Sequence, residues 1–314
     1  MTQERSLGAQ IEAAAAALRR GELVLMPTET VYGLAADAAD PRAVARIFEA
    51  KGRPRFNPLI AHVPDLALAE TLARFSPLAR ELAARFWPGP LTLVLPVREP
   101  DMVCDLARAG LDTVAVRVPA HPVALSLLRA FAGPVVAPSA NRSGRPSPTT
   151  LPAALEETGQ ACAAALEGGP CQVGLESTVV ALLDGQARLL RPGAITREAL
   201  AQVVDLAEAG ADDAHRSPGR LTRHYAPESP VRLEAGAPAD GEAYLAFGPC
   251  GLESGLVWNL SARGDLGEAA ANLFAFLRQA DAARPRAIAV APIPTHGLGE
   301  AINDRLRRAA GYVG

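Results

Sequence analysis

The apolar residues of this chain come in short runs, each stopped within a few residues by proline, glycine or a charge. "ELVLMP", "LIAHV", "PLTLVLPV", "TVAVRVP" and "GPVVAP" have the length of strands. No stretch offers the roughly 18 unbroken apolar residues that a membrane span needs. Helix signals lie between the runs. Residues 7 to 20 are Ala-rich and end at Gly21, and Asp40-Pro41 is a favourable cap and first position for a helix ending near Lys51-Gly52. "HPVALSLLRAF" reads as a further helix. Strands alternating with helices place the chain in the α/β (α+β) class.

Further along, "STVVALL" and "RLL" form a strand pair across the "DGQA" turn, and Thr196 caps a helix running towards Gly210. From Ala211 to Pro230 the texture becomes polar, Pro-bearing and aperiodic, which predicts a linker between domains spanning 1–210 and 231–314. Beyond it "VRLEA", "AYLAFGP", "GLVWNLS" and "AIAVAPIP" read as strands, with helices over roughly 266–283 and 298–310. That alternation predicts a small α/β domain with a parallel sheet.

A net charge of −3 disfavours a generally basic nucleic-acid binder, so stable tRNA binding is not expected. The first residues mix charges into their apolar positions and lack a signal-peptide core, which predicts a cytoplasmic protein. Cys104, Cys162, Cys171 and Cys250 form no CxxC pair and cluster with no histidine, so neither a zinc ribbon nor a disulfide framework is indicated. Of 31 basic residues 30 are Arg, and the single Lys is Lys51. Lys51 is either a chance survivor on a solvated surface or a place where a compact ammonium is required.

Several residues carry chemistry. Arg117 sits mid-strand between valines, on the face it shares with Thr113 and Ala115, where a charge needs a partner or a cavity. It is a structural salt bridge or a guanidinium aimed at a carboxylate or phosphate. "KGRPRFNP" brings Lys51, Arg53, Arg55 and Asn57 together, stiffened by two prolines. These cations are either screened by solvent or gathered around a polyphosphate. The loop "APSANRSGRPSPTT" offers Ser139, Asn141, Ser143 and Ser147 with Arg142 and Arg145. It is a surface loop or a nucleotide site, without the spacing of a P-loop or of a dinucleotide fingerprint. Ser177 and Arg191 stand at strand ends, where α/β sheets place their sites. His62 lies opposite Leu59 and Ala61, as a satisfied buried histidine would. Glu29 and Glu176 are a candidate carboxylate pair that nothing in the sequence brings together. No GxSxG elbow supports a serine hydrolase.

Taken in order, "PTETVYGL", "KGRP", "NPL", "WPGPLT", "VRVP", "APSAN", "SGRPSPT", "GLESTVV", "RPG" and "HYAP" resemble the YrdC/Sua5 family, over residues 8 to 230. The tail resembles the extra domain of its longer, Sua5-type members. The resemblance implies a YrdC-like twisted mixed open sheet flanked by helices, plus a small Rossmann-like C-terminal domain. It implies an enzyme that converts L-threonine, bicarbonate (or CO2) and ATP, with Mg2+, into threonylcarbamoyl-AMP and pyrophosphate. A separate transferase complex then uses the product for the t6A modification of tRNA.

The family's Lys-x-Arg and Ser-x-Asn signature falls on Lys51, Arg53, Ser139 and Asn141. Its threonine pocket falls on Thr30, His62, Arg117 and Ser177, with the backbone near Ala137. Its ATP contacts fall on Arg53, Asn57, Thr113, Ser139, Ser147, Arg191 and Tyr225, with Lys51 and Asn141 facing the nucleotide too. The linker departs from the family's usual SPGMKYRHYAP at Arg220, Leu221 and Thr222, while Arg223, His224 and Tyr225 keep their places. Residues 211–230 are expected to act as a lid. Two rival readings are a carbamoyl-adenylate-forming maturation enzyme, whose zinc-binding CxxC pairs are missing here, and a double-stranded RNA-binding module.

Overall fold

The computed structural model describes residues 6–54, 57–207, 210, 224–252 and 256–311. Arg55 and residues 211–223, with the altered positions 220–222 and most of the expected lid, lie outside them.

The N-terminal region runs α1 (Leu7–Arg19), β1 (Leu23–Met26), β2 (Gly33–Asp37), α2 (Pro41–Lys51), β3 (Ile60–His62), α3 (Leu66–Leu72), α4 (Pro77–Phe86) and β4 (Leu91–Pro96). It continues through α5 (Asp105–Arg108), β5 (Thr113–Arg117), α6 (Pro122–Phe131), β6 (Val135–Val136), α7 (Leu151–Thr158) and β7 (Cys162–Ala165). It closes with β8 (Thr178–Leu183), β9 (Gln186–Arg191), α8 (Arg197–Ala201) and β10 (Leu206–Ala207). Among the described residues these strands form one mixed sheet in the order β10-β9-β8-β4-β5-β3-β6-β2-β1-β7. β3 and β5 run parallel and β4 and β5 antiparallel, with His62 opposite Arg117 and Leu93 opposite Val116.

The local signals act as their chemistry requires. Asp40 Oδ1 accepts from the Arg42 amide at 2.8 Å, Pro41 opens α2, and Gly52 closes it at φ 59. Val44, Ile47 and Phe48 are buried on one face of α2, and Lys51 falls three and four residues further along the same stripe. β8 and β9 meet through the two-residue turn Asp184-Gly185, both at positive φ, which suits the twist of a hairpin. On β5, Val114 and Val116 enter the main core, whereas Ala115 joins Ile60, Val94 and Val179 on the other side. Arg117 stands on that second side.

The C-terminal region holds β11 (Val231–Arg232), β12 (Glu242–Ala246), β13 (Val257–Asn259), α9 (Leu266–Ala282), β14 (Ala287–Val290) and α10 (Leu298–Ala309). Its strands are all parallel, in the order β11-β14-β12-β13. The core under α9 and α10 contains Leu273, Phe274 and Ile302, and it also takes in Val31, Leu175 and Tyr225. At Gly174 (φ 71) the two regions meet backbone to backbone, for a Cβ there would lie 2.5 Å from the Ala270 carbonyl oxygen. No helix among the described residues is long and apolar enough to cross a membrane.

Two elements are shorter than the sequence predicts. The helix after Thr196 ends at Ala201, because Val203, Val204 and Asp205 are poor helix formers, and the chain then adds β10 beside β9. The strand expected over "VRLEA" stops at Arg232, before Glu234 turns to φ 54.

Candidate active site

A cleft opens where β3, β5, the start of β8 and the end of β9 come together. Thr30, His62, Arg117, Ala137 and Ser177 line it, and so do Arg53, Ser139, Arg191 and Tyr225. Residues expected for two different ligands therefore share one cavity. Val31, Pro138, Glu176 and His224 complete parts of its wall.

Arg117 is buried at the end of β5. Its Nη2 donates to Glu29 Oε1 at 2.5 Å, its Nη1 to Thr30 Oγ1 at 3.0 Å and its Nε to the Gly89 carbonyl at 3.2 Å. Both alternatives for this residue hold together, since it forms a buried ion pair and also faces the cleft. A guanidinium has five N–H donors, so two remain for a ligand. Beside it, His62 Nδ1 lies 3.1 Å from the Ile60 carbonyl, and burial together with the Arg117 charge pushes the imidazole down to about 3. The ring is neutral at physiological pH. Ser177 Oγ shares a hydrogen bond with Thr92 Oγ1 at 2.7 Å and accepts from Arg191 Nη2 at 3.1 Å.

The cationic side is built from α2 and the strands. Lys51 is 3% exposed, and its Nζ donates to the carbonyls of Ser139 (2.5 Å) and Asn141. It stands behind the wall and ties α2 to the loop that carries the Ser-x-Asn signature. Burial and neighbouring Arg53 hold its ammonium well below the usual lysine range. Arg53 Nη2 reaches the Asn57 and Pro58 carbonyls at 3.5 and 3.3 Å, and burial lowers it to about 10. Its Nε is buried without a partner among the described residues, as is His224 Nδ1.

Not every expected residue reaches the cavity. Asn57 meets Arg53 through its backbone, and Asn141 donates to the Arg142 and Arg145 carbonyls from within the loop. Ser147 is fully buried and donates to Glu176 Oε1 at 2.5 Å. Thr113 lies at the far end of β5 from Arg117, buried and away from the cavity. Arg142 and Arg145 turn away from the cleft towards Glu157. Glu29 and Glu176 do not join as a pair: each serves its own arginine, Arg117 and Arg305. Arg305, which sequence reasoning missed, had one local signal, a charge three residues after Ile302 on the buried face of α10. Among the described residues no group of three or more His, Cys, Asp or Glu side chains could hold a metal.

A protein-family model for Sua5, YciO and YrdC, described as "Telomere recombination", matches residues 16–193. A second, the threonylcarbamoyl-AMP synthase C-terminal domain, matches residues 195–311. The chain is 42% identical to the threonylcarbamoyl-AMP synthase of Pyrococcus abyssi, covering 96% of this chain and 94% of that protein. It is 40% identical to the enzyme of the same name from Bacillus subtilis, over 96% and 93% of the two chains. The crystal structure of P. abyssi Sua5 complexed with L-threonine superposes with a TM-score of 0.89 at 40% identity, covering 98% of this chain and 96% of that one. With both family models matched in order and the cleft shared between them, the chain belongs to the Sua5 family of threonylcarbamoyl-AMP synthases.

Proposed function

We propose that this cleft makes threonylcarbamoyl-AMP from L-threonine, bicarbonate-derived CO2 and ATP, releasing pyrophosphate. The observation that carries the reading is the convergence in one cavity of the residues expected for threonine with those expected for ATP. The matches run on through residues 195–311, a region the maturation-enzyme reading does not account for.

The two free donors of Arg117 take the threonine carboxylate, for which a planar fork is suited. His62, neutral and with one ring nitrogen donating to Ile60, offers a lone pair to the substrate hydroxyl or amine. The amine adds CO2 and loses a proton, giving N-carboxythreonine. A carbamate oxygen then attacks the α-phosphorus, and the bond to the bridging oxygen of pyrophosphate breaks. Three anions must approach each other, and Lys51, Arg53 and Arg191 offset that repulsion. The protein supplies position and charge rather than a nucleophile.

Mg2+ enters with ATP as part of the substrate, held by phosphate oxygens and water. The carboxylate lining the cleft, Glu176, has one oxygen accepting from Ser147 and the other from Arg305. The labile adenylate is then handed to a threonylcarbamoyl-transferring complex.

The test is pyrophosphate release by the purified chain with L-threonine and bicarbonate each omitted in turn, and mass spectrometry of the product. Release that needs both, with threonylcarbamoyl-AMP present, is the expected result. Release driven by carbamoyl phosphate without threonine would overturn the reading.

A further inference from the structure

Two arginines tie the C-terminal region to the loop beside the cleft. Each holds a buried glutamate, and each glutamate holds one end of the loop 142–147. From α9, Arg278 donates to Glu157 Oε1 at 2.8 Å and to the Pro146 carbonyl at 3.2 Å, while Glu157 Oε2 accepts from the Arg142 amide at 2.9 Å. From α10, Arg305 Nε donates to Glu176 Oε2 at 2.9 Å, and Glu176 Oε1 accepts from Ser147. Arg305 is 1% exposed. It also donates to the Pro192 carbonyl at 2.9 Å and stands 5.4 Å over the Tyr225 ring.

Of the two glutamates, Glu176 lines the cleft. A bare carboxylate there would oppose the polyphosphate that Arg53 and Arg191 face, with the Lys51 charge behind the wall. Arg305 lies behind it and cancels its charge. We infer that Arg305 is a positioning residue for the nucleotide, keeping the cleft wall electropositive through Glu176 and fixing Ser147, so that the C-terminal domain is part of the ATP site. This rests on the reading of the cleft given above. The charged and titratable groups facing Glu176 are Arg305 from α10, Arg191 from β9 and Tyr225, while Asp304 pairs with Arg305 from the other side. With Arg305 gone, burial would lift the Glu176 carboxyl, and mild acid would neutralise it instead.

The experiment compares wild type, R305M, E176Q and R305M/E176Q by steady-state kinetics, with folding followed by circular dichroism. R305M is expected to raise the KM for ATP on the order of thirtyfold, as when one partner of a buried charge pair is removed, with kcat changing far less. Its deficit should shrink on going from pH 8 to pH 6. The double variant should return to within about threefold of wild type, since paired removal leaves no stranded charge. A folded R305M with KM within twofold of wild type, or a folded double variant as poor as R305M, would overturn the inference. If R305M does not fold, R305K decides: it keeps the charge beside Glu176, so a KM for ATP within about threefold of wild type supports the inference, and one raised on the order of thirtyfold overturns it. Wild type without threonine-dependent turnover would instead overturn the reading of the cleft, a result separate from any ratio between variants.

Discussion

The buried cations at the cleft and those at the seam between the two regions are similar side chains in opposite company. Lys51 and Arg53 are held by backbone carbonyls, and burial drives both down from their ordinary values. At the seam, Arg305 and Arg278 meet carboxylates. Burial also works against the charge of Arg305, yet Tyr225, Glu176 and Asp304 hold it above its ordinary value. Glu176 and Glu157 stay below the usual carboxylate range despite their burial, Glu176 chiefly through Arg305 and Arg191, Glu157 chiefly through the Arg142 amide and Arg278. The seam's cations are charge-paired within the chain, although Arg305 Nη2 is buried without a hydrogen-bond partner among the described residues. The cations of the cleft are paired when anions arrive, which is how stability is traded for binding.

That contrast predicts different losses. Glu157→Ala removes the buried acceptor shared by Arg278, Arg142 and Arg145, leaving Arg278 the exposed Glu156 and Arg145 the exposed Glu228, and should cost about 3 kcal/mol of stability in urea unfolding. Lys51→Ala should lower turnover by on the order of a hundredfold, nearly 3 kcal/mol in the transition state, while the two carbonyls it leaves unpaired should cost about 1–2 kcal/mol of stability. The reverse pattern, with E157A stable and K51A unfolded, would dissolve the comparison. His62 extends it to a base: its folded value near 3 lies below the unfolded 6.5, so the unfolded chain takes up more protons as pH falls through that window. Stability is retained above pH 6.5 and lost below it, by about 2 kcal/mol at pH 5 from this group. His62→Gln should flatten that part of the stability-pH curve. The smallest effect belongs to the exposed pair Arg20–Glu22, where Arg20→Ala should shift stability by about 0.5 kcal/mol or less.

The parts legible in the sequence were those whose cause is local. Asp40, Pro41 and Gly52 bound α2 by capping chemistry, and the period of that helix turns Lys51 inward, which accounts for the lone lysine. Alternation along β5 separated Arg117 from the valines. What stayed hidden depends on distant partners. Residues 33–37, "GLAAD", show no strand-like alternation, yet they form a strand because β1 and β6 flank them. "CAAA" became a strand, β7, by pairing with β1, against the helical preference of alanine. Arg305 sits in "DRLRRA", which looks like a solvated face until Glu176 is found against it. Ser147 was singled out as a ligand contact, while its hydrogen bond to Glu176 could not be read from its loop.

The separation of Glu176 and Arg305 by 129 residues also has a consequence for how the chain is made. Domains emerge and fold in order from the N-terminus during synthesis. The sheet that carries the cleft can close while Arg305 is still unsynthesised, and Glu176 then has no cation from α10. A nascent chain, or one clipped within α10, would keep its threonine-side residues and lack the arginine that completes the nucleotide wall. The arrival of one late side chain would thus tighten the hold on ATP after the residues facing the substrates are already in place.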